Sequence, residues 1–248
     1  LLELVELNKS NSSFLNMINI ISKLSHQSII SFRGFSKTDF NQEQYPVIIT
    51  EYTSNITLSN IIQKEKREII SKYWNDTKKL INIYGIASSM QYLHRRKIIY
   101  QNLNPENVFE TSNFYPKLFL YNFFNSISQK VEKQFDSNYT KFYIAPEILE
   151  KNNFSSSCDV YSFALIVYSI MTDEKPFENE NQQIFDDSFT LKIINGHRPK
   201  FNNQIPEVYC HLIESCWDKN PSKRPTFESI VNELKNNSNF INSNYAKY

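Results

Sequence analysis

Residues 100–107 read YQNLNPEN, and this stretch follows a long helical pattern and precedes two short apolar ones. The helical pattern runs from about Asp76 to Arg95 and places apolar side chains on one face: Leu80, Ile83, Ile86, Ala87, Met90 and Leu93. The two apolar pieces that follow, NVFE and KLFLYNF, flank the turn signal SNFYP and predict short strands. We therefore expect residues 100–107 to form a loop between a helix and these strands.

The C-terminal half of the chain is predicted to be helical. The run SSSCDVYSFALIVYSIMT (155–172) is almost wholly apolar after Asp159, which predicts a helix buried on most sides. Further helices are expected near residues 188–195, 206–217 and 225–236.

The N-terminal part is predicted to mix a helix with strands. Residues 14–24, FLNMINIISKL, have helical spacing, whereas SIISFRGF (28–35) and YPVIITEY (45–52) favour strands. The sequence contains no internal repeat. Its layout is a small strand-containing part and a larger helical part, joined near residues 51–57.

The composition limits the class of protein. With 248 residues, of which 40% are hydrophobic, the chain is long enough for one large domain or two packed lobes. A net charge of +1 argues against nucleic acid as a partner. No apolar run approaches the roughly 20 residues that span a bilayer, and residues 1–13 lack a basic start and a cleavage signal. We expect a soluble, intracellular, cytoplasmic protein without membrane insertion.

Glycine and cysteine usage narrow the chemistry further. Three glycines in the whole chain exclude a glycine-rich phosphate loop of the G-x-G-x-x-G type. Three cysteines, Cys158, Cys210 and Cys216, fit a reduced compartment better than a disulfide framework, and their spacing predicts no metal site.

Five stretches, in this order along the chain, carry a resemblance to a known family. They are SKLSHQSIISFRGF (22–35), VIITEYTSNITLSNII (47–62), YIAPEILE (143–150), CDVYSFALIVYSIMTDEKPF (158–177) and CWDKNPSKRPTF (216–227). Together they resemble the protein kinase family, in its tyrosine-kinase-like group, over nearly the whole chain.

The resemblance implies an α+β, two-lobed kinase-like fold with a truncated N-terminal β lobe and a mainly helical C-terminal lobe. Residues 1–52 are expected to form the partial N-lobe, with the regulatory helix and strands, and residues 53–236 the C-lobe. Residues 237–248 are expected to be a flexible tail. Residues 123–141 take the position of the activation loop.

When this sequence is aligned with the catalytic motifs of the family, other residues stand at the positions of the catalytic ones. The catalytic-loop motif H-R-D-L-K-x-x-N aligns with YQNLNPEN, so Asn102 stands at the general-base aspartate and Asn104 at the lysine. The D-F-G aspartate position, thirteen residues after Asn107, holds Leu120, which offers no oxygen to magnesium. Asn107 remains as a remnant of the magnesium site.

Two further positions concern the nucleotide. The strand lysine aligns with Glu6 and its regulatory-helix carboxylate with Met17, so neither partner of that ion pair is present. Thr50 takes the gatekeeper position. The resemblance therefore implies no cofactor, and ATP and Mg²⁺ enter only if the domain is an active kinase.

Other residues implied by the resemblance are structural. Glu147 of the A-P-E motif is expected to pair with Arg224 of the closing motif, and Asp159 to accept hydrogen bonds from the catalytic-loop backbone. A stack of apolar side chains between the lobes keeps bulky residues at each position: Ile21, Phe32, Tyr100 and Tyr121.

Three functions remain open at this stage. The first is a pseudokinase, a catalytically impaired kinase-like domain that acts as a binding or regulatory scaffold for a protein partner of unknown identity. The second is a divergent ATP-dependent Ser/Thr protein kinase of the tyrosine-kinase-like group. The third is a truncated kinase gene product.

Overall fold

The computed structural model describes residues 11–39, 41, 43, 47–65, 73–120, 138–178, 186–201 and 205–242. The strands are β1 (Phe32–Ser36), β2 (Val47–Thr50), β3 (Val108–Glu110) and β4 (Pro116–Leu118). The helices are α1 (Asn11–Ile21), α2 (Leu58–Glu65), α3 (Asp76–His94), α4 (Asn138–Lys141), α5 (Pro146–Lys151), α6 (Ser156–Thr172), α7 (Asp187–Ile194), α8 (Glu207–Cys216), α9 (Phe227–Asn236) and α10 (Asn239–Asn242).

The small N-terminal part combines α1 with an antiparallel pair of strands. β1 and β2 pair with Phe32 opposite Thr50 and Ser36 opposite Val47, and an irregularity between Phe32 and Gly34 shifts the register. Ile18 and Ile21 of α1 are buried in the common core, and Phe32 packs against the same core. The two strands and the helix therefore share one apolar contact surface with the larger part.

The segment before β1 links the small part to the large one through main-chain hydrogen bonds. The Leu118 amide donates to the Ser28 carbonyl oxygen at 2.8 Å, and the Ile30 amide donates to the Leu118 carbonyl oxygen at 3.0 Å. β4 itself pairs antiparallel with β3, so the short hairpin is fixed on two sides. The 100–107 loop leads directly into this hairpin and is hydrogen-bonded to the residue after β4.

The large part is built around α3 and α6. Asn75 caps α3, because its side-chain oxygen accepts a hydrogen bond from the Lys78 amide at 3.1 Å. α6 is buried on nearly all sides from Cys158 to Ile170, as its almost wholly apolar sequence predicts. α3 packs against both α6 and α9, and α6 packs against α8. The 100–107 loop follows the end of α3 and is hydrogen-bonded to Asp159 near the start of α6.

The α+β architecture expected from the sequence, with a small strand-containing part and a larger helical part, is confirmed. Part of the segment predicted to be a flexible tail, residues 237–248, packs against the core in the structure. α10 follows directly on α9, and Phe240 is fully buried with its ring 5.0 Å from that of Tyr209. An aromatic side chain supplied enough apolar area to hold this turn against the core. Residues 243–248 lie outside the described residues.

No helix among the described residues combines the length and the apolar character needed to cross a membrane.

Gly85 generates a prediction about how closely α3 and β4 approach. A Cβ atom at Gly85 would lie 2.6 Å from Pro116 Cγ and 3.0 Å from Ser28 Oγ. Helix propensity alone favours alanine at this position. Here the overlap with the rigid proline ring wins, so Gly85→Ala should lower the free energy of unfolding by about 1–3 kcal/mol in urea denaturation.

Gly34→Ala is the matched control, because nothing lies within 4 Å of a Cβ atom at Gly34. We expect it to change stability by less than about 1 kcal/mol. Equal midpoints for the two variants would show that α3 and β4 have room to separate.

Candidate functional site

The loop at 100–107 is shaped by one buried carboxylate. Asp159, near the start of α6, is 1% exposed. Its Oδ2 accepts hydrogen bonds from the Tyr100 amide at 2.9 Å and lies 2.8 Å from His94 Nε2, while its Oδ1 accepts from the Gln101 amide at 2.8 Å. Three donors from one stretch of chain satisfy a charge that would otherwise be costly to bury. The loop therefore leaves α3 in a fixed direction.

Tyr100 and Gln101 turn the chain into the site. Gln101 has φ of 68°, in the left-handed region that residues other than glycine seldom adopt. Its hydrogen bond to Asp159 holds it there. Tyr100 is fully buried, and its hydroxyl donates to the Phe119 carbonyl oxygen at 2.6 Å. Burial raises the pKa of Tyr100, so the phenol remains a donor. The stretch before Leu120 is thus tied to the loop.

The three asparagines of the loop bond to one another. Asn104 Nδ2 donates to Asn102 Oδ1 at 2.8 Å and to the Asn102 carbonyl oxygen at 3.1 Å. Asn107 Nδ2 donates to the same carbonyl oxygen at 2.8 Å. Asn104 Oδ1 in turn accepts from the Glu106 amide at 2.9 Å and caps the short helical turn at 105–107. The structure brings Asn102, Asn104 and Asn107 together as a neutral amide network.

Leu120 lies beside this network but faces the core. It is 5% exposed and belongs to the main apolar cluster. Phe119, the preceding residue, is anchored by its amide, which donates to the Asn107 carbonyl oxygen at 3.0 Å. Leu120 therefore sits close to Asn107 along the backbone, and its side chain contributes packing in place of a metal ligand.

The residues present do not fit a bound magnesium ion. Mg²⁺ demands oxygen ligands and is usually held by carboxylates together with phosphate oxygens. Here one side is apolar, at Leu120, and the Asn102, Asn104 and Asn107 side chains of the loop are neutral amides without a carboxylate. Within the described residues no group of three or more His, Cys, Asp and Glu side chains could hold a metal ion. No catalytic step through a metal follows from this arrangement.

The connection between the two parts carries an ion pair. Glu51, just after Thr50 at the end of β2, accepts hydrogen bonds on Oε1 from Lys117 Nζ at 2.7 Å and from the Ser31 amide at 2.9 Å. Burial alone would raise the pKa of Glu51, but the bonds from Lys117 and Ser31 outweigh it and hold the pKa below the ordinary value. Lys117 is the first cation after Lys97, since residues 98–116 contain no Lys or Arg. That cation is committed to Glu51.

Two phenylalanines next to the loop add apolar surface. Phe109 on β3 and Phe119 after β4 are half-buried and meet edge to face, with 5.6 Å between ring centroids. Phe109 also bridges to Thr57 beyond the connecting segment. Sequence reasoning missed this pair. The alternation in VFE, with Val108 and Glu110 buried, was the signal that Phe109 faces the other way.

A buried ion pair fixes the other side of the large part. Arg224, with a fully buried side chain, donates to Glu147 through Nη1 to Oε1 at 2.6 Å and Nη2 to Oε2 at 2.9 Å. Burial alone would raise the pKa of Glu147, but the hydrogen bonds and charge of Arg224 hold it below its usual range. Removing one partner of such a pair costs about 3–5 kcal/mol, because the other charge is left uncompensated. The structure thus brings Glu147 and Arg224 together.

Several predicted positions remain to be placed. Ile21 and Tyr100 belong to one core, and Phe32 packs against it. Thr50 is half-buried at the end of β2, and its hydroxyl donates to the Glu51 carbonyl oxygen. Tyr121 and Glu6 lie outside the described residues, as does most of the 123–141 segment before α4, and the Met17 side chain is also outside them.

Glu110 is a buried acid that sequence reasoning also missed. It is 1% exposed, and neither carboxyl oxygen has a hydrogen-bond partner among the described residues. The neighbouring Asn82 amide donates instead to the Lys78 and Phe114 carbonyl oxygens. Burial raises the pKa of Glu110 well above 4.5, and Asn82 and the Lys78 charge only partly oppose it. A neutral carboxylic acid therefore fits this position.

Comparisons with known proteins bear on the family of the whole chain. The chain matches the profile of the protein kinase domain over residues 3–234. It is 33% identical over 211 residues to a probable LIM domain-containing serine/threonine-protein kinase of Dictyostelium discoideum, covering 85% of this chain and 30% of that protein.

Two other relatives extend the comparison. The chain is 28% identical over 232 residues to serine/threonine-protein kinase 12 of Arabidopsis thaliana, covering 90% of this chain and 47% of that protein. It is 29% identical over 259 residues to another probable serine/threonine-protein kinase of D. discoideum, covering 96% of this chain and 13% of that protein. The chain thus spans less than half the length of these relatives.

Glu110 predicts a pH dependence of stability. Its folded-state pKa is raised, so its contribution is fully present below the ordinary pKa of 4.5 and is lost as pH rises through the folded value. Between the ordinary pKa and the raised folded-state pKa, the free energy of unfolding of the wild type, relative to that of Glu110→Gln, should fall by about 1.4 kcal/mol per pH unit. Urea denaturation of both proteins between pH 5 and pH 8, about the range in which most folded proteins are stable, measures it.

Two further variants sharpen this test. Glu110→Leu removes the carboxyl group altogether and should show the same loss of pH dependence as Glu110→Gln. Glu233→Gln, at an exposed position on α9, should keep the wild-type profile. Parallel profiles for the wild type and Glu110→Gln would mean that Glu110 is solvated or paired in solution.

Proposed function

This chain belongs to the protein kinase domain family, and we propose that it works without catalysis, as a pseudokinase that binds and regulates a protein partner. The observation that carries the proposal is the bond between the two replaced catalytic positions. Asn104 Nδ2 donates to Asn102 Oδ1 at 2.8 Å, so the amide at the lysine position is hydrogen-bonded to the amide at the base position. Neither has a charge to offer a reacting phosphate.

The chemistry of phosphoryl transfer explains why this matters. The reaction depends on orienting the nucleotide and on neutralising charge, with a carboxylate that accepts the proton of the acceptor hydroxyl. An amide has no useful basicity near pH 7. Asn102 can accept a hydrogen bond from an alcohol but cannot take its proton. Leu120, 5% exposed in the core, supplies no ligand for the metal that would accompany the phosphates.

The contacts that maintain the fold support a binding role. Asp159 keeps its three hydrogen bonds to the loop region, and Glu147 keeps its bidentate pair with Arg224. These side chains hold the shape of the domain and take no part in proton or phosphoryl transfer. A surface of fixed shape is what a binding partner requires, because little ordering cost remains on association.

An active Ser/Thr kinase is the alternative. It is favoured by the printed names of the relatives, which are serine/threonine-protein kinases, and by Asn107, which is retained at the position of one magnesium ligand. Under this alternative ATP and Mg²⁺ are cofactors, and other groups replace Asn102 and Leu120. Nucleotide binding separates the two proposals.

The same proposal includes membership of the tyrosine-kinase-like group and a role in signalling. Both are based on the sequences of residues 47–62 and 216–227. The proposal also includes a cytoplasmic location, which suits three free thiols. The partner is a protein whose identity the sequence does not specify.

Mg²⁺–ATP provides the first test of the proposal. A ligand raises stability by RT ln(1 + [L]/Kd), which is about 2.7 kcal/mol at one hundred times Kd. Because the described loop offers amides and a leucine to a triphosphate, millimolar Mg²⁺–ATP should not shift the melting temperature of the purified protein. Differential scanning fluorimetry with and without EDTA measures the shift.

A melting shift that appears with Mg²⁺–ATP and disappears with EDTA would favour the active-kinase alternative. The matched variant Asn107→Ala then tells where the metal binds. Loss of the shift in Asn107→Ala would place the metal at the retained ligand position, and an unchanged shift would place it elsewhere. A melting shift of either kind would overturn the expectation that this domain binds no Mg²⁺–ATP.

Restoring the family's residues provides the second test. The triple variant Asn102→Asp, Asn104→Lys and Leu120→Asp returns three charged groups to the loop. We expect it to transfer no labelled phosphate from ATP to a basic acceptor protein. Orientation of the reactants alone contributes about 7–11 kcal/mol to such reactions, and these changes do not supply the phosphate loop or the lysine–carboxylate pair.

The double variant Asn102→Asp and Asn104→Lys is the control for folding, because Leu120 is buried and an aspartate there would be desolvated. Circular dichroism and thermal unfolding identify which variant remains folded. Phosphate transfer by either folded variant, clearly above that of the wild type, would show that the N-terminal part holds ATP in line with an acceptor.

A further inference from the structure

A basic pocket lies outside the 102–120 site, between the end of α1 and the turn that follows α3. Its volume is about 620 Å³. Cations come from both sides, Lys23 from beyond α1 and Arg96 and Lys97 from the turn. Amide side chains and an apolar floor complete the lining: Asn19, Gln101, Ile20, Leu24, Ile98 and Ile99.

No acidic side chain lines the pocket, and the nearby Asp159 carboxylate is occupied by hydrogen bonds from His94 and from the Tyr100 and Gln101 amides. The stretches 11–38 and 77–105, which supply its walls, contain no Asp or Glu. Among the described residues Lys23 and Lys97 form no ion pair, whereas the adjacent Arg95 is paired with Glu228 at 2.7 Å. Three cations facing one cavity without an acid are an arrangement that attracts an anion.

The Arg96 side chain and the backbone of the turn are held in place by local contacts. The Arg96 guanidinium lies 3.5 Å from the centre of the Tyr92 ring, and Nη1 donates to the Tyr92 carbonyl oxygen at 3.1 Å. Lys97 and Gln101 both have left-handed backbones, with φ of 59° and 68°. Because Gln101 is fixed by Asp159, the two residues that frame the turn are set before any ligand arrives.

His26 lies within the influence of one cation of the pocket, Arg96. The pKa of His26 is lowered, first by burial and then by the charges of Lys117 and Arg96. A helix end explains one cation at most, since the carboxyl end of α1 favours a positive charge such as Lys23. It does not account for Arg96 and Lys97, which come from another part of the chain.

We propose that the basic pocket binds a phosphorylated side chain on a partner protein, flanked by apolar residues. A phosphomonoester carries about −1.5 to −2 charges at pH 7 and three acceptor oxygens. A guanidinium and two ammonium groups supply enough positive charge and enough N–H donors to neutralise it and to bond its oxygens. The apolar floor of Ile20, Leu24, Ile98 and Ile99 suits neighbouring aliphatic side chains of an extended segment.

The mixed charged and apolar lining favours a peptide over a membrane surface. A membrane draws cations displayed on an outward-facing patch, with about 1 kcal/mol per Lys or Arg near the lipid. Here the three cations share one lining with Ile20, Leu24, Ile98 and Ile99, and the volume of about 620 Å³ has room for a phosphorylated side chain with its neighbours. This inference adds the class of partner to the proposed pseudokinase function, and it stands apart from the nucleotide question because the pocket excludes residues 102–120.

Fluorescence anisotropy tests the pocket with a short labelled peptide, Gly-Leu-pSer-Leu-Gly, and its unphosphorylated form. The wild type should bind the phosphorylated peptide and bind the unphosphorylated one at least about tenfold more weakly. Raising the salt concentration should weaken binding, because charges at a surface are screened over about 10 Å at 0.1 M. Lys23→Glu with Lys97→Glu should weaken it by about tenfold or more, since both replacements repel phosphate.

Lys200→Glu, an exposed charge reversal outside the pocket lining, is the matched control and should bind as the wild type does. If the double reversal fails to fold, as judged by circular dichroism, the single variant Lys97→Ala replaces it and should still weaken binding.

Three outcomes would overturn the inference: equal affinity for both peptides, unchanged affinity in a folded pocket variant, or binding only to vesicles that contain a phosphoinositide. A lack of peptide binding together with no Mg²⁺–ATP shift would reject the pocket and leave the pseudokinase proposal in place.

Discussion

The carboxylate of Asp159 is the contact on which the candidate site depends. It joins the end of α3, the first two residues of the loop and the start of α6 through three hydrogen-bond partners. An unpaired buried donor typically costs about 1–3 kcal/mol, so loss of this carboxylate would release the loop from several anchors at once. The left-handed Gln101 persists because Asp159 holds it, and the asparagine network and the 105–107 turn follow from where Gln101 sends the chain. The basic pocket shares the same anchor, since Gln101 lines it.

In this domain the apolar side chains near the candidate site are buried together, whereas the three asparagine side chains of the loop carry no charge. Tyr100, Ile21 and Leu120 are buried in one apolar cluster, and their contribution depends on area and shape. The positions that would neutralise phosphate are neutral, and the 98–116 stretch around them has no cation. Cations occur instead at Lys23, Arg96 and Lys97, outside that site. The fold of a kinase domain is thus present together with a group of cations outside the 102–120 site.

The sequence predicted much of the fold because the strongest signals are long and periodic. α3 was expected from Asp76 to Arg95 and runs from Asp76 to His94, and the apolar 155–172 run became the buried α6. Short-range features were harder. The tail was expected to be flexible, yet Phe240 is buried, and one aromatic side chain gives no periodic pattern to detect. Glu110 and the Phe109–Phe119 pair were also missed, because their roles come from contacts across a short hairpin.

The replacements at the candidate site make physical sense as one coupled set. An aspartate at position 102 or 120 without a cation would be a poorly compensated charge, and a lysine at 104 without a phosphate would be the same in a position that is 1% exposed. Replacement of one charged residue among positions 102, 104 and 120 therefore favours replacement of the other two, because each would lack a compensating charge. Two amides that bond to each other and a leucine in the core are the neutral solution. Glu147 and Arg224 show the reverse case, since each compensates the other and both remain. Glu110, whose buried carboxyl group has no hydrogen-bond partner among the described residues, is instead favoured in its neutral form.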